Sequence, residues 1–242
     1  MKKRLMIYSS IVVLIAMISF YEILWAPNNF DGDRFIFISK GDGFEQVVDS
    51  LERAGIVRSR FLFVLAEKIV NLQSRIQIGK YRFQSGMSNK DIVEDLRSGS
   101  TIELITVTIP EGYKTSRVAK LLAKSLGIDS LRFMEFANDT HFVRTLISTA
   151  TSLEGYLMPN TYKFYWQTDE EQIIKRLVGE FWKYFSDSLL AVIRNRGVTI
   201  SEILTIASIV ESETAIDSER AIIAGVYYNR LRKGMQIGRA HV

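Results

Sequence analysis

The 242-residue sequence predicts an α+β protein: an N-terminal transmembrane helix, a small mixed module and a mostly helical lobe. Three observations predict it. A long apolar stretch opens the chain. Strand-like and helix-like patterns then alternate over residues 35–108. Beyond Pro110-Glu111-Gly112 the apolar spacing is helical almost throughout.

Lys2, Lys3 and Arg4 precede an apolar run over residues 5–26 that is broken only by small hydroxyl residues and Glu22. About 20 apolar residues span a bilayer, so the run fits once Glu22 reaches the outer interface beside Tyr21 and Trp25. The basic flank (residues 1–4) is expected to stay in the cytoplasm, which puts everything after Pro27 outside. The stretch is long for a cleaved signal peptide and no small-x-small site follows it, so an uncleaved anchor is expected.

Residues 27–34 read as a polar linker, and 35–39 alternate as a short strand. Residues 44–54 have helical spacing and stop at Gly55, a common residue just past a helix end. Ser59 is placed to cap a helix through Val70. Residues 80–83 read as a strand, Ser88 caps a helix to about Arg97, and residues 101–109 read as one long strand. In the lobe, taken as residues 109–236, helices are expected at 116–126, 130–138, 170–196, 201–214 and 218–232. Residues 152–165 read as an aromatic-rich loop punctuated by Gly155 and Pro159.

Composition excludes several chemistries. No cysteine is present, so there are neither disulfides nor thiolate metal sites. His141 and His241 are the only histidines, too few for a histidine metal site or a Ser-His-Asp triad. No metal or organic cofactor is implied. Net charge is +4, and the 31 Lys and Arg residues form no run, which speaks against a nucleic-acid surface.

Two segments could carry chemistry. Residues 201–214, SEILTIASIVESET, have a broad apolar face expected to lie in a core, and they end in Glu211 and Glu213. The dipole at a helix C-terminus disfavours negative charge, and an apolar setting would raise a carboxyl pKa there, as a general acid requires. The two glutamates lie about 200° apart on the helix wheel, so periodicity alone does not choose between them. The second segment is LEGYLMPNTY (153–162), where Glu154 beside a glycine, Tyr156 and Tyr162 suits a sugar-binding groove. Asn229 and Arg230, on the last helix, fit an ordinary amphipathic end as well as a ligand contact.

These segments carry a family resemblance. LEGYLMPNTY, ASIVESET (207–214), Glu219-Arg220 and AGVYYNRLRKGM (224–235) together resemble the YceG-like family of endolytic murein transglycosylases. GKYRF (79–83), GMS (86–88) and IPEG (109–112) extend the likeness, in the family's order, over nearly all the chain after the anchor. The resemblance implies an inner-membrane anchor, a LysM-like module and a lytic domain that faces the cell wall. It implies cleavage of the MurNAc-GlcNAc bond of peptidoglycan to 1,6-anhydro ends, limiting nascent strand length, and peptidoglycan synthases as partners. It makes a glutamate of the ASIVESET helix the catalytic acid. Glu213 is chosen, because an acid followed by a hydroxyl residue looks like other lytic transglycosylases; Glu211 is the second choice. Glu154 would orient the sugar, the Tyr156 and Tyr162 rings would stack on it, and Asn229 and Arg230 would contact it. A non-catalytic wall-binding scaffold and a hydrolase pairing Glu154 with Glu213 are the alternatives.

The resemblance fails after Met235 and Gln236, where the family pattern continues and this chain reads Ile-Gly-Arg-Ala-His-Val. That hexapeptide resembles a translated sequencing-library adapter. Residues 237–242 are therefore expected to be non-native, His241 to have no functional meaning, and the catalytic lobe to be incomplete.

Overall fold

The computed structural model describes residues 2–70 and 76–235. Residues 237–242, with His241, lie outside the described residues. The chain is a mixed α+β protein in two compact units, one of residues 1–105 with 163–167, the other of 106–162 with 168–242.

In the first unit α1 (Lys2–Leu24) is one continuous helix, and residues Met6–Leu24 have a mean hydropathy of 2.0, long and apolar enough to cross a bilayer. The small module follows as β1 (Arg34–Ile38), α2 (Phe44–Arg53), α3 (Arg60–Val70), β2 (Gly79–Phe83), α4 (Asn89–Ser98) and β3 (Ile102–Glu103). The strands form an antiparallel sheet in the order β1-β2-β3, with Ile36 opposite Tyr81. Strand alternation turns Gly79, Tyr81 and Phe83 inward, and the Tyr81 and Phe83 rings stack at 5.9 Å on that face. Val47, Val48 and Leu51 from α2, Phe63 from α3, and Ile92, Val93 and Leu96 from α4 close the core over them. Burying each such side chain contributes about 1.5–3 kcal/mol.

Local chemistry sets the ends. Ser88 and Asp91 form the capping box that opens α4, and Gly99 closes it in the left-handed conformation. Asp95 is buried, and its carboxylate accepts the Thr101 amide at 2.9 Å and the Ser100 and Thr101 hydroxyls. These bonds turn the chain from α4 into β3. The first residues of the expected polar linker are bonded to the module: Asn28 is buried, Phe30 N–H donates to Ser85 Oγ, and Pro27 bridges to Ser88, whereas residues 31–33 are exposed. A side-chain amide that finds buried backbone partners orders a segment whose composition reads as loop.

The single strand expected over 101–109 is two strands in different sheets. β3 stays on β2, the chain turns out at exposed Leu104, and β4 (Ile105–Ile109) pairs with β5 (Asn160–Phe164), a strand inside the segment read as a loop. Thr108 and Thr161 hydroxyls meet across this ribbon at 2.9 Å. Residues Lys163–Gln167 return to the first unit, where the Trp166 ring lies 4.6 Å from Phe37 and its indole N–H donates to Ser39.

The second unit is built from α5 (Thr115–Leu126), α6 (Ser130–Asn138), α7 (Thr140–Leu146), α8 (Glu170–Trp182), α9 (Asp187–Asn195), α10 (Ile200–Glu213) and α11 (Asp217–Arg232). The helix expected over 170–196 is broken, because Ser186 accepts from the Leu189 amide and caps α9 afresh. Val118, Leu122 and Leu126 pack with Phe133, Ala137, Val143, Ile173, Leu177 and Phe181 in its interior.

Candidate functional site

The C-terminal helical pair carries the acid candidates. Thr199 and Glu202 form the capping box that starts α10. At its far end Thr214 closes the turn into α11: its hydroxyl donates to Glu219 at 2.8 Å and accepts the Ile216 amide at 3.0 Å. The hydroxyl that follows the acid thus fixes the α10–α11 corner, and with it the position of Glu213.

Glu213 accepts a hydrogen bond from the Tyr227 hydroxyl, Oε1 to Oη, at 3.2 Å. The Arg230 guanidinium sits 5.8 Å from the centre of the same ring, one helical turn on along α11. Partial desolvation, and then the Glu213 carboxylate, raise the Tyr227 phenol above its ordinary pKa; Arg230 pulls the other way. The site is therefore a carboxylate, a protonated phenol and a guanidinium gathered at one corner. Tyr227 escaped the sequence reading. Its signal was the Tyr227-Tyr228 pair in the last motif, but only the helical corner brings one of them to Glu213.

Several expectations change here. α10 is not a core helix: Val210 alone among its residues is buried, and Ile203, Leu204, Ile206 and Ile209 are half-buried. Glu211 and Glu213 are both exposed, so the described residues do not supply the apolar enclosure expected around a general acid. The Tyr156 and Tyr162 rings are each only 3% exposed. Tyr156 packs edge-on against Phe181 at 5.2 Å, and its buried hydroxyl has no hydrogen-bond partner among the described residues. Tyr162 donates to the Met158 carbonyl at 2.6 Å, and burial pushes its pKa up to about 12. Both rings are core packing and present no face for a sugar to stack on.

Glu154 is exposed, and its carboxylate accepts the Thr115 amide at 3.0 Å at the start of α5, where Lys114, the N-cap residue, makes no side-chain cap bond. A carboxylate at a helix N-terminus is stabilised by the dipole as well as the bond. Gly155, with φ of 83°, turns the loop beside α10, where a Cβ would come 3.8 Å from Leu204. The loop and α10 therefore adjoin, as the two motifs require if they share a site. Asn229 and Arg230 are exposed in the last turns of α11. Among the described residues no group of three or more His, Asp and Glu converges as a metal site.

The YceG-like family model matches residues 36–239. A Streptococcus pneumoniae serotype 2 (strain D39) protein called endolytic murein transglycosylase is 30% identical over 225 residues, covering 83% of this chain and 40% of that one. A Bacillus subtilis protein of the same name is 28% identical over 217 residues, covering 84% of this chain and 60% of that one. The chain thus spans less than two thirds of the length of these curated relatives. The crystal structure of a yceG-like protein from Listeria monocytogenes shares the fold, with a TM-score of 0.51 and 24% identity, covering 84% of this chain and 72% of that one.

Proposed function

The chain belongs to the YceG-like family, and from that premise we propose that it is a membrane-anchored endolytic lytic transglycosylase of peptidoglycan with Glu213 as its catalytic acid. The observation that carries the choice of acid is the hydrogen bond between Glu213 and Tyr227 beside Arg230. Glu211 takes part in no such contact with the phenol.

Glu213 in its protonated form donates to the oxygen that links MurNAc C1 to GlcNAc. As that C–O bond breaks, the MurNAc C6 hydroxyl attacks C1, and its proton passes to the Glu213 carboxylate. The products are a 1,6-anhydro-MurNAc end and a free GlcNAc hydroxyl, and the glutamate ends as it began. Intramolecular attack has a high effective molarity, so one well-placed carboxyl suffices where a hydrolase needs two. Tyr227 orients the carboxylate. Glycan laid over the corner would supply the desolvation that the exposed glutamate lacks, since catalytic contacts often tighten only on substrate binding. Asn229 and Arg230 offer hydrogen-bond donors to the glycan, and Glu154 shapes the adjoining loop. The commitment of Glu154 to the Thr115 amide weighs against a two-carboxyl hydrolase.

Digestion of purified sacculi by the full-length protein, with the muropeptides resolved by mass, tests the reaction. Anhydro ends are expected. Reducing ends would mean hydrolysis, and intact glycan a non-catalytic wall-binding role.

We further infer that α1 is an inner-membrane anchor, with its N-terminus in the cytoplasm and the rest of the chain outside. Its length and the Lys2-Lys3-Arg4 flank support this reading. The strand-helix-helix-strand order of β1 to β2 supports a LysM-like module. A reporter that folds only outside the cytoplasm should be active when fused after Val70; activity of a cytoplasm-only reporter there would reverse the topology.

A further inference from the structure

We propose that α3 of the small module rides in the interface of the same membrane that α1 crosses, with Phe61 set among the lipid headgroups beside Tyr21 and Trp25. The inference rests on α1 being the anchor. It adds that the module is fixed against the bilayer instead of swinging on a tether.

The joint between helix and module has no slack. Asn28 donates from its backbone N–H to the Met87 carbonyl at 3.0 Å and from its side-chain amide to Met87 O at 3.1 Å and Asn89 Oδ1 at 3.0 Å. Its side-chain oxygen accepts the Arg58 amide at 2.8 Å, and its carbonyl accepts the Gly86 amide at 2.8 Å. Asn89 in turn donates to the Ile23 carbonyl at 2.9 Å, satisfying one of the carbonyls left open at the end of α1. Leu24 and Ala26 are buried, and Arg58 pairs with Glu22 at 2.6 Å. A swivel would need free backbone at residues 27–30; here the Asn28 and Phe30 backbones are hydrogen-bonded to the module.

A rigid joint fixes the depth of whatever packs beside the helix end. α3 packs against α1, and Arg58, two residues before α3, reaches back to Glu22. The polar interface on each side of the hydrocarbon is only about 5–7 Å deep, and the Arg58–Glu22 pair ties the start of α3 to the level where Glu22 leaves the hydrocarbon. At that level α1 and the turn after it present the exposed aromatics Phe20, Tyr21 and Trp25; Tyr and Trp are the residue types that settle at membrane interfaces.

The outward face of α3 suits that position. Phe63 and Ala66 point into the core, whereas Phe61 is 72% exposed and Ile69, two turns on along the same face, is also exposed, with Leu65 half-buried between them. A lone exposed phenylalanine needs no explanation. An apolar stripe at i, i+4 and i+8, held at the foot of a membrane span, does. Lys68 beside it can reach lipid phosphate with its charge while its stem lies along apolar surface. A second copy or another protein would bury the stripe as well, but nothing about the joint would then require the stripe to lie at the helix end.

The cysteine-free chain makes the test direct. Single nitroxide labels on Phe61→Cys, Ile15→Cys and Lys40→Cys are read in phosphatidylcholine/phosphatidylglycerol vesicles, as accessibility to oxygen against a water-soluble nickel chelate. Ile15 lies mid-span in α1, and Lys40 lies at the turn after β1. The expected result is a Phe61 ratio several-fold above that of Lys40 and below that of Ile15. Lipid-buried Ile15 with an aqueous Phe61 would overturn the inference alone, and so would a Phe61 label shielded from both reagents, which would mean a protein partner. An aqueous Ile15 would overturn the anchor itself.

Discussion

Glu213→Gln is expected to lower glycan cleavage by about 10²–10⁴-fold while leaving the fold intact. Glutamine keeps the shape of the side chain and can still accept from the Tyr227 hydroxyl, so the α10–α11 corner should persist. It cannot supply an acidic proton. The corner itself is held by Thr214 and Glu219, which the substitution does not touch. The measurement is the rate of anhydro-end formation from sacculi, with circular dichroism and thermal unfolding as controls for structure. Glu211→Gln on the same helix should retain activity. An active Glu213→Gln beside an inactive Glu211→Gln would move the acid to the other shoulder of the helix. Activity in both would remove this helix from the chemistry.

The capped elements were the ones legible in the sequence. Ser88 before α4, Ser59 before α3 and the stop at Gly55 are local signals, satisfied within four residues, and the helices lie where those signals put them. The failures are mostly non-local, the Ser186 cap being the exception. Residues 101–109 alternate evenly as one strand, and only competition between β2 and β5 for partners divides them at Leu104. β5 itself lies in a segment whose Gly155, Pro159 and Asn160 read as turn, and its pairing with β4 spans about fifty residues of chain. The helix expected at 170–196 looks continuous because Ser186 is only a weak helix breaker until its hydroxyl finds the Leu189 amide. The site divides in the same way. Glu213 was legible as an acid at a helix end, whereas Tyr227 is fourteen residues away and meets it only through the turn that Thr214 closes. Tyr156 and Tyr162 show the converse error, since aromatic content cannot say which face of a ring is already covered.

Two phenylalanines on α3 separate those two kinds of information experimentally. Phe63→Ala is expected to destabilise the small module by about 3–5 kcal/mol, the usual range for emptying a buried aromatic site. The Phe63 ring is fully buried and lies parallel to Phe44 at 6.5 Å, at the centre of the cluster formed by α2, α4 and the sheet. Whole domains are stable by only about 5–15 kcal/mol, so the loss should open the module measurably. Phe61→Ala, two residues away, removes the same atoms from a site outside the module core and should change that stability by less than about 1 kcal/mol, far below Phe63→Ala. Hydrogen exchange of the β2 amides in the intact, membrane-reconstituted chain reads both effects on the module itself, free of contributions from the helical lobe. β2 should lose most of its protection in Phe63→Ala and keep it in Phe61→Ala. Equal loss in the two variants would mean that Phe61 also packs inward and that the outward stripe on α3 does not exist. Protection unchanged in Phe63→Ala would contradict the core built around it.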